Sequence, residues 1–244
     1  MTFCNINFNQ KNEYDLFELI DENKIKYIIT ANVLFIVEAN ISKKYFDILA
    51  NNYVTFDGQV PLFIARLFNR RYKKYKKLSG SDIVYDFCEF AKIKNYKMFF
   101  LGAKRENNHI ATEIIKKQYD IMIDGYSPDF ENYPFSEQFN NLCIEKINVF
   151  EPDILFVAFG SPKQEYWIHD QLEYFSKIGI KYVIGCGGTF DFISGSIKRA
   201  PFFLQKIGLE GLYRFYQEPN KKRLKGMIIA FKFLKYIWHK PDFM

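Results

Sequence analysis

The sequence predicts an α/β fold: a Rossmann-like parallel sheet covered by helices, followed by a basic, helical C-terminal segment. Three observations point there. Apolar runs such as Ile154-Leu155-Phe156-Val157-Ala158-Phe159 lack polar alternation, as a strand does when both faces of its sheet are covered. Such runs alternate with stretches of helical spacing, the pattern that parallel crossovers impose. Several runs also stop at glycine or small polar residues, where the chain turns into a helix N-terminus.

Taken in order, residues 1 to about 25 read as an edge strand or loop and a polar helix. Lys26 to Thr30 is a strand, Asn32 an N-cap, and Val33 to Ala39 a helix. A helix over Ser42 to Asn51 leads to strand Tyr53 to Phe56, which ends at Asp57-Gly58. Pro61 to Phe68 is apolar at helical spacing, Arg70 to Lys77 is a basic loop, and Ser79 to Asp82 caps a helix over Ile83 to Ile93. Strand Lys97 to Leu101, a turn at Gly102, helix Glu106 to Gln118, a short strand Ile121 to Ile123 and helix Pro134 to Val149 follow. After strand 154–159, Ser161 caps a helix with Pro162 at its first position, where the missing donor costs nothing. Tyr182 to Gly185 is the last strand.

The tail differs. Ile207 to Tyr216 and Pro219 to His239 read as helices, with Leu224, Met227, Ile228, Phe231, Leu234 and Trp238 on one face. Lys235 interrupts that face, and Ile229 and Phe233 lie off it. Lys221, Lys222, Arg223, Lys225 and Lys232 beside Trp238 make an interfacial helix. The same pattern suits a helix docked on the domain with its lysines solvated, and the pattern does not choose between them.

Composition narrows the class. The 244 residues are 48% hydrophobic and 25% charged, as in a globular protein with a real core. The abundance of Phe, Tyr, Ile, Lys and Asn fits an AT-rich genome. Cys4, Cys88, Cys143 and Cys186 are scattered, which argues for reduced thiols and against a disulfide frame or zinc site. No signal peptide and no uncharged run of ~18 residues is visible, so a cytoplasmic or peripheral protein is expected. The net charge of +6 is uneven: from Lys198 onward there are 11 basic and 3 acidic residues, leaving the preceding chain slightly negative. A basic tail on a near-neutral body implies an anionic partner, a membrane surface or nucleic acid.

Polar residues cluster where strands end: Thr30 and Asn32, Asp57, Ser81 and Asp82, Ser161 to Glu165, Thr189 and Asp191. Loops after parallel strands share one edge of a sheet, so these residues can converge. Asp57 is the best candidate general base, because it ends an apolar strand and Gly58 leaves room for a substrate. Asp-Gly is also a common turn. Gly185 to Gly188 suits a diphosphate but lacks the dinucleotide fingerprint, and there is no Walker A motif. No Asp-x-Asp occurs, and His109, His169 and His239 are isolated, so no metal or cofactor site is expected.

The ordered series Thr30-x-Asn32, Asp57-Gly58, Gly80-Ser81-Asp82, Phe100-Leu101-Gly102, Gly160-Ser161-Pro162-Lys163-Gln164-Glu165-x-Trp167 and Gly185-x-Gly187-Gly188-x-Phe190-Asp191 continues through Gly195, Arg199-Ala200-Pro201, Gly208-Leu209-Glu210 and Leu212-Tyr213-Arg214 to Glu218-Pro219. It resembles the WecG/TagA/CpsF family of bacterial glycosyltransferases over about residues 25 to 225. The resemblance implies an inverting, metal-independent transfer of N-acetylmannosamine or a related sugar from a UDP-sugar to a polyprenyl-diphosphate-linked sugar, for teichoic acid, capsule or exopolysaccharide. Asp57 would be the base, with Thr30 and Asn32 lining its pocket. Gln164 and the loop from Gly185 to Asp191, including Gly187 and Gly188, would hold the donor.

Lys77, Ser81, Asp82, Gly102, Gly160, Lys163, Glu165 and Arg199 fall on the same family motifs and are expected to bind substrate. Residues 1–200 would form the catalytic domain and 201–244 a membrane-docking appendage, with Arg214, Lys221 and Arg223 near the lipid diphosphate. A dimer or trimer is permitted, and nucleic acid is not expected. Lys77 stands where the family usually has Arg, keeping the charge but not the bidentate fork. Gly211 replaces the Trp of the family's Glu-Trp pair, and Lys221 replaces a frequent Arg, which puts tail geometry and oligomer contacts in question. The non-enzymatic alternative is an α/β module that binds a membrane or nucleic acid through the tail, and it leaves Thr30, Asn32, Asp57 and Gln164 without a role.

Overall fold

The computed structural model describes residues 1–18, 24–217, 219 and 221–244, without the side chains of residues 214, 222 and 223. In chain order, β1 (Thr2–Phe3) and β2 (Ile6–Asn7) pair antiparallel, and α1 (Tyr14–Phe17) precedes β3 (Lys26–Ala31). Next come α2 (Val33–Ile41), α3 (Lys43–Ala50), β4 (Tyr53–Phe56), α4 (Gln59–Phe68) and a 3-10 helix, Arg70–Lys74. Then α5 (Gly80–Lys94), β5 (Met98–Gly102), α6 (Arg105–Tyr119), β6 (Ile123–Tyr126), α7 (Glu137–Phe150), β7 (Ile154–Ala158), α8 (Lys163–Lys177), β8 (Tyr182–Gly185) and α9 (Thr189–Ile193) alternate. The tail holds α10 (Phe202–Lys206), α11 (Glu210–Gln217), α12 (Lys221–Ala230) and a 3-10 segment, Phe231–Ile237.

The expected α/β class is the observed one: a six-stranded parallel sheet flanked by helices, with strand order β4-β3-β8-β7-β5-β6. By packing, the chain forms two compact units, residues 17–28 with 80–196, and residues 1–16 with 29–79 and 197–244.

In the 80–196 unit, β7 lies between β5 and β8, with Phe156 beside Phe100 and Ile184. All of β7 is buried, which explains its unbroken apolar run. Its Ile, Leu, Phe and Val side chains each contribute roughly 1.5–3 kcal/mol by leaving water. Phe87 meets Phe156 and Tyr182 edge-on, and Trp167 packs on Phe159 while its Nε1 donates to Asn140 at 2.8 Å. The strand expected at Ile121–Ile123 runs instead from Ile123 to Tyr126. Asp124-Gly125 has turn composition, yet Gly125 stays extended because Asn108 and Thr112 of α6 lie against it: an added Cβ would sit 2.1 Å from Asn108 Oδ1. The helix after Gly160 starts at Lys163 with Pro162, not Ser161, as N-cap, because Pro162 at ψ 1° is outside the helical well.

In the other unit, Asn32 caps α2 as expected, its side chain accepting from Leu34 N at 2.9 Å. Phe8 stacks on Phe56 with ring centroids 3.7 Å apart, and Tyr75 OH donates to Phe8 O at 3.0 Å. The stretch expected to be a basic loop is helical over Arg70–Lys74, where Asn69 accepts from Arg71 N at 3.0 Å.

The tail helix expected over Pro219–His239 changes at Phe231 from α to 3-10. Three residues per turn instead of 3.6 resets the faces. Leu224, Ile228, Phe231 and Trp238, expected on one face, are all exposed, whereas Phe233 and Tyr236 are buried. Cys4 Sγ donates to Phe233 O, Tyr236 OH to Asp242 at 2.8 Å, and Asp242 N to Asn40 O at 2.8 Å. Asn40 Nδ2 donates in turn to Cys4 O at 3.0 Å, so the chain end is tied to the N-terminal ladder through α2.

Candidate active site

Where β5, β6, β7 and β8 end, the 80–196 unit holds a cleft of about 550 Å³. Gly102, with φ +99°, turns the chain out of β5, and an added Cβ would stand 2.9 Å from Phe159 Cδ1 and 3.0 Å from the Ala158 backbone. Its carbonyl accepts from Ser127 Oγ at 2.8 Å and from Asn108 Nδ2 at 2.9 Å, which fixes the ends of β5 and β6 together. Lys104 and Arg105 follow on one rim. Lys163, at the start of α8, donates to Glu131 O at 3.1 Å and lies 4.4 Å from the Phe130 ring centroid. The cleft therefore combines three cationic side chains with glycine turns whose amides can approach an anion closely.

Beneath the cleft lie Gln164 and Glu165, 1% and 0% exposed. Gln164 Oε1 accepts from two backbone amides, Gly160 N at 3.0 Å and Gly187 N at 3.2 Å, while its Nε2 donates to Glu165 Oε1 at 2.6 Å. Both pinned residues have positive φ, +80° and +53°. A Cβ on Gly185 would come within 2.8 Å of Gln164 Nε2 and 3.0 Å of Glu165 Oε1, so only glycine allows the pair to lie on β8. Tyr27 is also fully buried nearby: burial first, and the Glu165 charge second, hold its phenol well above the usual range.

The second group of expected residues sits in the other unit. Asp57 N donates to Ala31 O at 3.0 Å, which puts Asp57 beside Thr30-Ala31-Asn32. On the far side of β4, Leu78 N donates to Phe56 O at 2.9 Å and Lys77 bridges to Phe56, which brings Lys77 to the same strand end. Thr30 is buried; Asn32, Asp57 and Lys77 are partly exposed.

Of the residues expected to bind substrate, Gly102, Gly160, Lys163, Gly187, Gly188 and Asp191 line the cleft together. Gln164 and Glu165 lie under it. Ser81 and Asp82 are in the first turn of α5, whose Gly80 packs on Cys186 and Thr189. Arg199 is partly exposed in the other unit, and Lys221 is exposed at the start of α12. The side chains of Arg214 and Arg223, and residue Glu218, lie outside the described residues. Sequence reasoning missed Asn107, Asn108 and Ser127. Asn107 Nδ2 donates to Asp191 Oδ1 at 2.6 Å. Lys104 and Arg105 were legible by the strand-end rule, since they directly follow Gly102-Ala103.

Fold and cleft together define a Rossmann-like α/β protein with a ligand-sized cleft at its strand ends. The family model described as Glycosyl transferase WecG/TagA/CpsF family matches residues 1–242, and the chain belongs to that family of glycosyltransferases. It is similar to the N-acetylglucosaminyldiphosphoundecaprenol N-acetyl-beta-D-mannosaminyltransferase of Bacillus subtilis (strain 168), with 31% identity over 219 residues, 89% of this chain and 81% of the relative. The protein of the same description from Bacillus spizizenii is 30% identical over 84% of this chain and 76% of its own. One from Staphylococcus aureus (strain MRSA252) is 24% identical over 77% of this chain and 70% of its own.

Proposed function

We propose that the enzyme transfers N-acetylmannosamine, or a closely related sugar, from a UDP-sugar to a polyprenyl-diphosphate-linked N-acetylglucosamine at a membrane surface, with inversion and without a metal. The observation that carries this reading is the cleft at the strand ends, with its glycine turns and three cations, in a chain whose relatives are named N-acetylglucosaminyldiphosphoundecaprenol N-acetyl-beta-D-mannosaminyltransferases. An acceptor hydroxyl attacks the anomeric carbon while Asp57 takes its proton. The bond from that carbon to the diphosphate oxygen breaks, and its electron pair leaves on UDP. Negative charge builds on the leaving diphosphate, and fixed cations and amides near it stabilise the transition state more than the ground state. Lys104, Arg105 and Lys163 and the turns at Gly160 and Gly187 suit that role. The sequence has no Asp-x-Asp, and the described residues hold no cluster of three His, Cys, Asp or Glu side chains.

Membrane docking is supported by the tail. Leu224, Ile228, Phe231 and Trp238 are exposed apolar side chains beside exposed Lys221, Lys225, Lys232 and Lys235. Exposed apolar side chains interspersed with cations suit an anionic lipid surface. No described helix is long and apolar enough to cross a membrane.

The test is UDP release from a panel of UDP-sugars with a short-chain polyprenyl-diphosphate-N-acetylglucosamine acceptor, in EDTA. Acceptor-dependent release with UDP-N-acetylmannosamine supports the reading. Absence of release with every donor, in EDTA and with added Mg²⁺ alike, overturns it.

A further inference from the structure

Three facts converge on α8. Glu165 is wholly buried, and its Oε1 accepts from the side-chain amide of the preceding residue, Gln164, at 2.6 Å. That amide's other end is a single oxygen shared by the N–H groups of Gly160 and Gly187, the turns that end β7 and follow β8. Gly185, between them, has no room for a side chain because the pair occupies that space.

An amide group can rotate by half a turn at almost no intrinsic cost, exchanging its oxygen for its nitrogen. Turned the other way, Gln164 would point N–H groups at two N–H groups. A carboxylate only accepts, so Glu165 holds the Gln164 nitrogen toward itself and the oxygen toward the turns. Burial strengthens that preference, since an unmade bond here cannot be replaced by water.

We infer that Glu165 is a positioning residue: it fixes the orientation of Gln164, whose oxygen clamps the Gly160 and Gly187 turns into the anion-binding shape of the cleft. Gln164 thereby shapes the cleft from below, through two backbone amides. The link to donor affinity rests on the proposed function; the clamp itself does not.

Glu165→Leu, Glu165→Gln and Gly185→Ala are compared with wild type by amide hydrogen exchange and by UDP calorimetry on the full chain. Glu165→Leu removes the acceptor, and Gly185→Ala pushes the pair away from the opposite side. Both are expected to speed exchange at Gly160 and Gly187 and weaken UDP binding about tenfold, the equivalent of one buried hydrogen bond. Glu165→Gln still offers an oxygen to Gln164 and is expected to restore slow exchange and UDP affinity to within about threefold of wild type. Unchanged exchange at both glycines in Gly185→Ala, or a Glu165→Gln protein as impaired as Glu165→Leu, overturns the clamp. Exchange that follows the expected order in a protein whose wild type binds no UDP keeps the clamp and removes the donor reading.

Discussion

Asn107 donates its side-chain amide to the Asp191 carboxylate at 2.6 Å, so one residue of α6 orients a cleft residue that belongs to α9. Asn107 is nearly buried, and the bond to a charged acceptor is of the stronger kind. With one carboxylate oxygen held by Asn107, the orientation of the whole group toward the cleft is set. Asn107→Leu is therefore expected to weaken UDP binding about tenfold, equivalent to about 1.4 kcal/mol, with thermal stability little changed. Titration calorimetry checks this, and unaltered affinity would show that Asp191 needs no such support.

Asp57 ends β4 beside Thr30-Ala31-Asn32. As the proposed base, its loss should act on turnover and not on donor binding. Asp57→Ala and Asp57→Asn are expected to lower kcat by roughly 10²–10⁴-fold while UDP affinity stays within about twofold. Full turnover in either variant excludes Asp57 as the base.

Much of this was legible from residue order alone. A strand covered on both faces shows an unbroken apolar run, and the residue types at its end are free to serve chemistry, so Gly102, Gly160, Gly187 and Asp191 could be named without coordinates. What could not be read were contacts made across the fold. Asn107 looks like any polar residue in a helix's first turn, and nothing in the neighbours of Gln164 reveals that its amide ties Gly160 and Gly187 to Glu165. The tail shows another limit: a wheel assumes 3.6 residues per turn throughout, and the 3-10 geometry from Phe231 onward changes which residues share a face.

Gly102 gives a stability test. Its positive φ and the 2.9 Å approach of Phe159 leave no place for a methyl group. Gly102→Ala is expected to cost about 2–3 kcal/mol, from left-handed strain and a backbone shift together. Scanning calorimetry should record this as a fall of roughly 5–10 °C in Tm.

Phe233 tests how the tail is held. It is 4% exposed and lies over Cys4. Phe233→Ala is expected to destabilise by about 3–5 kcal/mol, whereas Phe231→Ala and Trp238→Ala, at exposed positions, should change stability by less than about 0.5 kcal/mol yet reduce binding to anionic vesicles. Equal effects of all three on denaturant midpoints would contradict the assignment of faces.

The four buried thiols make stability sensitive to alkali. Burial pushes Cys4 and Cys143 up to about 12, and raises Cys88 and Cys186 further. In the unfolded chain a thiol ionises near about pH 8.5. A folded-state value above the unfolded one means that stability is intact below about pH 8.5 and falls as pH rises toward the folded values. The urea midpoint is expected to drop by the equivalent of about 1 kcal/mol or more between pH 8 and pH 10. Labelling with a thiol reagent at pH 8 should be slow in the native protein and fast in urea.

The division of the chain has a temporal side. One unit is assembled from residues 17–28 and 80–196, and all of it has been synthesised while the third segment of the other, residues 197–244, is still being translated. At roughly 5–20 residues per second that interval lasts about 2–10 s. During it the cleft-bearing unit can fold, but the ladder of β1 and β2 waits for Phe233 and Tyr236. The segment that supplies Phe233 and Tyr236 is thus made after the cleft-bearing unit, and it completes a core that the earlier residues of its own unit leave open.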